Sequence, residues 1–190
     1  GKLGSLADRN VAVVVTGDLV NKAGDAAQIK EYLRIAGKLD KSIPLYNIPG
    51  NHDVENAPTP ESIAAYTKVF GRDYYSFTAR TLYGIALNSS LIHSPAKAPA
   101  LADAQERWLE AELGRARSSG ARHIVVFQHH PWFLKDTSER DGYYNIPLVR
   151  RGRYLHGFRS AGVRTLISGH YHRNVVAGDE QLVAITTGPV

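Results

Sequence analysis

Apolar positions along the chain fall into short continuous runs separated by stripes at helical spacing. Residues 11–16 (VAVVVT) form an almost unbroken β-branched run, the pattern of a strand buried on both faces of a parallel or mixed sheet. From Asp25 the period changes. Ile29, Leu33 and Ala36 recur at helical spacing towards Asp40, and Asp25 with Gln28 resembles a capping box. A strand is expected over 43–48, ending at Pro49 and Gly50. Thr59 and Pro60 mark the next helix start, Ile63, Tyr66 and Phe70 give its apolar stripe, and Gly71 stands where it should stop. Two strands follow, over 74–79 and 82–88, and LIHSPAKAPALAD reads as an irregular loop leading into a helix over 103–117 with Trp108 and Leu109 in the core. HIVVFQ (123–128) is another short apolar strand. The polar stretch 135–145 reads as a solvated surface loop, with a lid as the alternative. A helix over 147–161 closes on Gly162, a strand follows over 163–168, and 175–177 with 182–187 forms a hairpin across Gly178 and Asp179.

The 190 residues suffice for a single domain over 1–190. Apolar residues make up 43% and charged residues 22%, and no apolar run reaches the roughly 18 residues that would suggest a membrane helix. The net charge of +5 attracts anions, leaving phosphorylated small molecules, phosphoproteins and nucleic acid as candidate partners. No interleaving of basic and aromatic residues argues for nucleic acid. Without cysteine the chain has no disulfide, no thiolate nucleophile and no cysteine zinc site, so any metal must be held by His, Asp, Asn or Glu. The opening GKLGSLADRN lacks Met and the closing ITTGPV stops directly after an apolar run, so both ends read as those of a fragment, and localisation stays open.

Candidate chemistry gathers behind the strands. VAVVVT is followed by GD, LYNIP by GNHD, HIVVFQ by HHP and RTLIS by GHYH, so metal-competent residues come directly after apolar runs. The carboxyl ends of strands form the ligand-binding crevice in open α/β sheets, and ends on neighbouring strands can converge. Asp18 offers two oxygens that can bridge two cations, Asn51 adds an amide oxygen, and His129, His170 and His172 are imidazole donors suited to Zn, Fe, Mn or Ni. Blander readings stand beside these: Asp18 as a turn cap, Asn51, His52 and Asp53 as a hydrogen-bonded turn, and His170 with His172 as an exposed pair or a chance zinc site. Of His129 and His130 only one is expected to be a ligand, because adjacent residues in extended chain point in opposite directions. His93, His123 and His156 are expected to be exposed and without role. Arg150, Arg151 and Arg153 read as a solvated helix face rather than a phosphate clamp.

Taken in order, the GD, GNHD, HHP and GHYH elements resemble the calcineurin-like metallophosphoesterase family from Asp18 to His172. GDLVN, FQHHPWFL and SGHYHRN further resemble a branch that includes a suspected protein phosphatase. The resemblance implies an α/β fold, a four-layer sandwich of two mixed β-sheets flanked by helices, here without its first strand and C-terminal end. It implies two divalent or trivalent metal ions (Mn, Fe, Zn or Ni), with Asp18 bridging both, Asn51, His129 and His170 completing one site, and His172 belonging to the other. His52 would face the substrate to stabilise a phosphoryl oxygen or protonate the leaving group, and Asp53 would orient its ring. The implied activity is hydrolysis of a phosphate ester of a protein or small molecule by a metal-activated water. A phosphodiesterase or nuclease of the same family, or a non-catalytic phosphate-recognition domain, are the alternatives. One departure stands out: the family's first motif, Asp, any residue, His, is not found upstream of Asp18, and Asp8 lacks the His. One metal is therefore expected to bind well and the second poorly.

Overall fold

The computed structural model describes residues 12–189. Its elements are β1 (Val13–Val15), α1 (Ala26–Ala36), β2 (Leu45–Asn47), α2 (Asn51–Val54), α3 (Pro60–Phe70), β3 (Tyr75–Ala79), β4 (Leu82–Ala86), α4 (Ser89–His93), a 3₁₀ turn (Pro95–Lys97), α5 (Pro99–Ser118), β5 (His123–Phe127), α6 (Leu148–Ala161), β6 (Thr165–Ser168), β7 (Val175–Gly178) and β8 (Val183–Thr186).

These strands form two sheets. The larger has the order β3-β4-β5-β6-β8-β7, parallel from β4 to β8 and antiparallel at both edges, where β3 and β7 pair in hairpin fashion. The smaller is β1 beside β2, with Val14 opposite Tyr46, and is parallel rather than mixed among the described residues. The α1 crossover between its two strands accounts for that direction.

Side-chain alternation on β5 shows how the layers stack. Ile124 and Val126 enter a core with Leu109, Leu155 and Phe158 from α5 and α6, whereas Val125 and Phe127 enter a second core with Ile48 and Phe77, against which Val14 and Tyr46 pack. Beyond the small sheet, Val54 and Tyr66 bury against Tyr32 and Phe70 of α1 and α3. Two sheets flanked by helices on their outer faces result, an α/β sandwich of four layers. Residues 13–15 of β1 are half-buried rather than buried, because only β2 pairs with it among the described residues. Val11 of the expected strand and Asp8 lie outside the described residues.

Between the sheets Gly84 faces Phe77 across the β3–β4 pair, and a Cβ on Gly84 would fall 2.3 Å from the Phe77 ring. That ring cannot swing away, since it stacks on Tyr46 with centroids 3.8 Å apart. Gly84→Ala should therefore cost about 1–3 kcal/mol by overpacking. A urea midpoint equal to the parent's would refute this.

Several local expectations are revised. Helix α1 stops at Gly37, short of Asp40, and its cap is Asp25 alone, whose carboxylate accepts the Ala27 and Gln28 N–H groups. Gln28 instead turns back, its Oε1 accepting the Asn21 and Lys22 N–H groups at 2.8 and 3.1 Å and tying the helix to the loop after β1. The Pro- and Ala-rich stretch is ordered as α4, the 3₁₀ turn and the first turn of α5. Pro99 sits at the start of α5, where its missing N–H costs nothing, so that helix begins before Asp103.

Candidate metal centre

The carboxyl ends of β1, β2, β5 and β6 meet across the two sheets. His129 is buried after β5 and is the hub. Its Nδ1 lies 2.7 Å from the Thr16 carbonyl oxygen at the end of β1. A carbonyl only accepts, so Nδ1 carries a proton and it is Nε2 that faces the cluster. Around that Nε2 lie Asn51 Oδ1 at 2.9 Å, His170 Nδ1 at 3.1 Å and Asp18 Oδ1 at 3.3 Å.

Each partner is oriented by the same logic. The Asn51 amide donates through Nδ2 to Asn56 Oδ1 at 3.0 Å, which turns its oxygen into the cluster. His170 Nε2 faces the Tyr143 carbonyl at 3.3 Å and carries that ring's proton, so its Nδ1 presents a lone pair. Burial, aided by His129, pulls the His170 imidazole down to about 4, so the ring is neutral near pH 7. Burial pushes the Asp18 carboxyl up, but the hydrogen bond and charge of His129 and the His52 N–H outweigh it and hold the group below its usual range as a carboxylate. Two imidazole nitrogens, a carboxylate oxygen and an amide oxygen thus converge. Mixed N and O donors of this kind suit a divalent transition metal.

The backbone is shaped to bring these atoms together. Asp18, His170 and His172 all occupy the left-handed region, with φ of 56°, 65° and 57°. For non-glycine residues that conformation costs about 1–2 kcal/mol each. Strain of this kind gathers at functional sites when the surroundings enforce it. Gly17, at φ 101°, leaves no room for a side chain: a Cβ would fall 2.4 Å from His129 Nδ1.

Of the residues singled out from sequence, Asp18, Asn51, His129 and His170 are brought together. His172 is exposed in the turn after His170 and lies outside this cluster. The His52 ring is exposed at the rim, its Nδ1 2.7 Å from the Asn21 carbonyl oxygen, which leaves Nε2 facing outward. That carbonyl, not Asp53, orients the ring. Asp53 is buried, and its carboxylate accepts the N–H groups of Leu19, Val20 and Gly50 at 3.2, 3.0 and 2.8 Å, clamping the loop after β1 to the loop after β2. Burial pushes its carboxyl up to about 6 against those three donors, and the nearby Asp18 adds to the rise.

Among the other histidines and arginines, His93 and Arg151 depart from expectation. His130 is buried with its ring nearly perpendicular to that of His129, and its Nδ1 is 3.0 Å from Ser89 Oγ. His93 is half-buried and stacks on His130 with centroids 4.8 Å apart, because it lies on α4 rather than in a loop. His123 and His156 are exposed. Arg151 is fully buried, not part of a solvated face. Arg153 is exposed and pairs with Glu106 and Glu110.

Sequence reasoning missed Ser89, whose Oγ accepts the N–H groups of both His129 and His130 at 3.1 and 2.8 Å and so leaves its own hydrogen for His130 Nδ1. The signal was present: β4 is a fifth strand whose apolar run ends in polar residues, Asn88, Ser89 and Ser90. Tyr143 and Asn56 were missed as well, since they act through a main-chain carbonyl and through a neighbour's amide.

The family profile described as calcineurin-like phosphoesterase matches residues 3–174. The chain belongs to the calcineurin-like phosphoesterase family. It is 38% identical over 166 residues to the serine/threonine-protein phosphatase CPPED1 of Homo sapiens, covering 85% of this chain and 53% of the relative. It is also 35% identical over 138 residues to the glycerophosphodiester phosphodiesterase GpdQ of Enterobacter lignolyticus, covering 68% of this chain and 45% of that protein. The chain therefore spans about half the length of these curated relatives. Among solved structures a dimetal phosphatase from Danio rerio superposes with a TM-score of 0.63 at 16% identity, covering 97% of this chain and 74% of that one. GAP50 of the Plasmodium inner membrane complex superposes with a TM-score of 0.70 at 16% identity, covering 97% and 64%. These likenesses carry the calcineurin-like fold. Among the described residues no helix is long and apolar enough to cross a membrane.

Proposed function

We propose that the protein hydrolyses phosphate monoesters of proteins or small molecules at a divalent-metal centre held by Asp18, Asn51, His129 and His170, with Asp18 and His172 contributing to a second ion. The observation that carries this reading is the convergence of Asn51 Oδ1, His170 Nδ1 and Asp18 Oδ1 on His129 Nε2. Support comes from family membership and from the phosphatase names of its relatives. Bound metal would supply Lewis-acid stabilisation of phosphoryl charge and a water whose pKa is lowered towards about 7. The chain's own residues do the rest. Thr16 and Tyr143 carbonyls fix the ligand tautomers. Asp53 holds the two ligand-bearing loops in register. The Asn21 carbonyl holds Nδ1–H of His52, so the imidazolium form has Nε2–H free to donate to a phosphoryl or leaving oxygen at the rim.

The exposed position of His172, outside the four-residue cluster, favours a second reading in which only one ion is held firmly and the domain binds phosphate without turnover. Metal analysis after Mn²⁺ loading, combined with a panel of aryl phosphate mono- and diesters, separates the two. Hydrolysis of monoesters at a rate at least about tenfold above diesters is expected, a margin of about 1.4 kcal/mol in barrier. Metal-loaded protein that binds inorganic phosphate and cleaves neither ester would select the recognition domain instead.

A further inference from the structure

The segment 135–145, expected to be a solvated loop, is built into the structure from both sides. The Arg151 guanidinium of α6 is buried and donates to the carbonyl oxygens of Thr137, Glu139 and Ile146 at 2.8–3.2 Å. Glu139 accepts the N–H groups of Leu134 and Lys135, and the buried Asn145 side chain accepts the Gly142 N–H while donating to Glu139 and to the Arg140 carbonyl. At its far end the Tyr143 carbonyl meets His170 Nε2, so the loop is fixed relative to the metal cluster itself.

What this scaffold presents is aromatic. The Tyr143 and Tyr144 side chains are exposed, at 57% and 42%, yet their rings lie 5.0 and 5.6 Å from the His170 ring. Tyr144 also meets Tyr171 edge to face at 5.0 Å. Arg173 lies over the Tyr171 ring, its guanidinium carbon 5.7 Å from the centroid, so that third ring already has an occupant. Two large aromatic side chains, exposed beside a polar cluster on a hydrogen-bonded segment, are available for a ligand, and the anchored backbone lowers the ordering cost of binding one.

We propose that Tyr143 and Tyr144 are specificity-determining residues that select phosphate esters carrying a planar aromatic group directly on the phosphate. This rests on the reading of the cluster as a metal-held phosphate site. Rings so close to a ligand imidazole meet the group bonded to the phosphate oxygen rather than remote parts of a large substrate. Stacking and edge contacts between aromatic rings add attraction beyond simple area burial, enough to favour an aromatic group over a saturated ring of similar size by roughly three- to tenfold.

The test uses non-hydrolysable probes, so it does not depend on turnover. Mn²⁺-loaded protein is titrated calorimetrically with phenylphosphonate and with cyclohexylphosphonate, and Mn²⁺ affinity is measured in parallel. The parent should prefer the phenyl compound by about three- to tenfold, and Tyr144→Ser and Tyr143→Ser should each lower that ratio towards unity. Equal binding of the two phosphonates by the parent, or a ratio retained in both variants, overturns the proposal while leaving the phosphate site intact. Failure of metal-loaded parent to bind either phosphonate overturns the phosphate-site reading and this proposal with it.

Discussion

Asp18→Ala should abolish metal-dependent stabilisation of the fold together with any phosphatase turnover. Among the described residues Asp18 contributes the only carboxylate converging on His129 Nε2, and its loss leaves Asn51, His129 and His170 without an anion to balance a dication. With Mn²⁺ at a hundred times its dissociation constant, the parent gains about 2.7 kcal/mol from binding. For a domain of this size that is a rise of roughly 5–10 °C in melting temperature. The variant should show almost none of this shift in a thermal scan. Its metal affinity should fall by at least about a hundredfold, since disturbing groups that merely orient ligands already costs ten- to hundredfold. The metal-free variant should still fold, because the carboxylate lies outside the four hydrophobic cores of the described residues and its main-chain partner there is the exposed His52 N–H. An undiminished Mn²⁺-dependent melting shift in Asp18→Ala would remove Asp18 from the centre and with it the bridging role assigned to it.

Much of this arrangement was legible along the chain, and the physical reason is local. Alternation on β5 directs Val125 and Phe127 to one core and Ile124 and Val126 to the other, so an unbroken apolar run announces a strand covered on both faces. Where such runs stop at Gly17, Gly50, His129 and Gly169, the next polar residues stand at the carboxyl ends of strands. The topology then brings four of those ends together. The helix start at Thr59 could also be read, since Thr59 and Ser62 exchange side-chain to main-chain hydrogen bonds that need only residues three apart.

What stayed hidden depends on partners distant in sequence or on main-chain atoms. The proton positions on His129 and His170 are set by the carbonyls of Thr16 and Tyr143, groups every residue carries, so no side chain advertises them. Arg151 looked like one of three surface arginines because its three carbonyl acceptors lie in a loop whose path the sequence does not reveal. The family resemblance placed Asp53 behind the His52 ring. In the helical turn α2 its carboxylate points instead to Leu19, Val20 and Gly50. The Pro-rich stretch misled in a different way: proline ends a helix from inside but begins one from its first turn, and only the fold decides which.

Gly50→Ala should damage the centre without altering any ligand. Gly50 has φ −99°, a conformation that alanine adopts freely, so the substitution carries no intrinsic backbone penalty. The obstacle is contact: a Cβ there would lie 2.2 Å from Asp18 Oδ1 and 2.3 Å from the Asp18 amide nitrogen. The amide cannot give way cheaply, because the adjoining loop is clamped by Asp53 through Leu19 and Val20, and Gly17 is itself wedged against His129 and Gly50. The loops after β1 and β2 must therefore separate, which carries Asp18 away from Asn51 and His129. A stability loss of about 1–3 kcal/mol is expected from overpacking. Mn²⁺ affinity should fall ten- to hundredfold, the range seen when ligand-positioning groups are disturbed. Calorimetric titration of the folded variant reads the second effect separately from the first. Gly84→Ala supplies the comparison, since it overpacks the core between the sheets to a similar extent but touches no residue of the cluster. If both variants lose stability yet bind Mn²⁺ as tightly as the parent, the close approach of the two loops is a packing feature and does not set the geometry of the site.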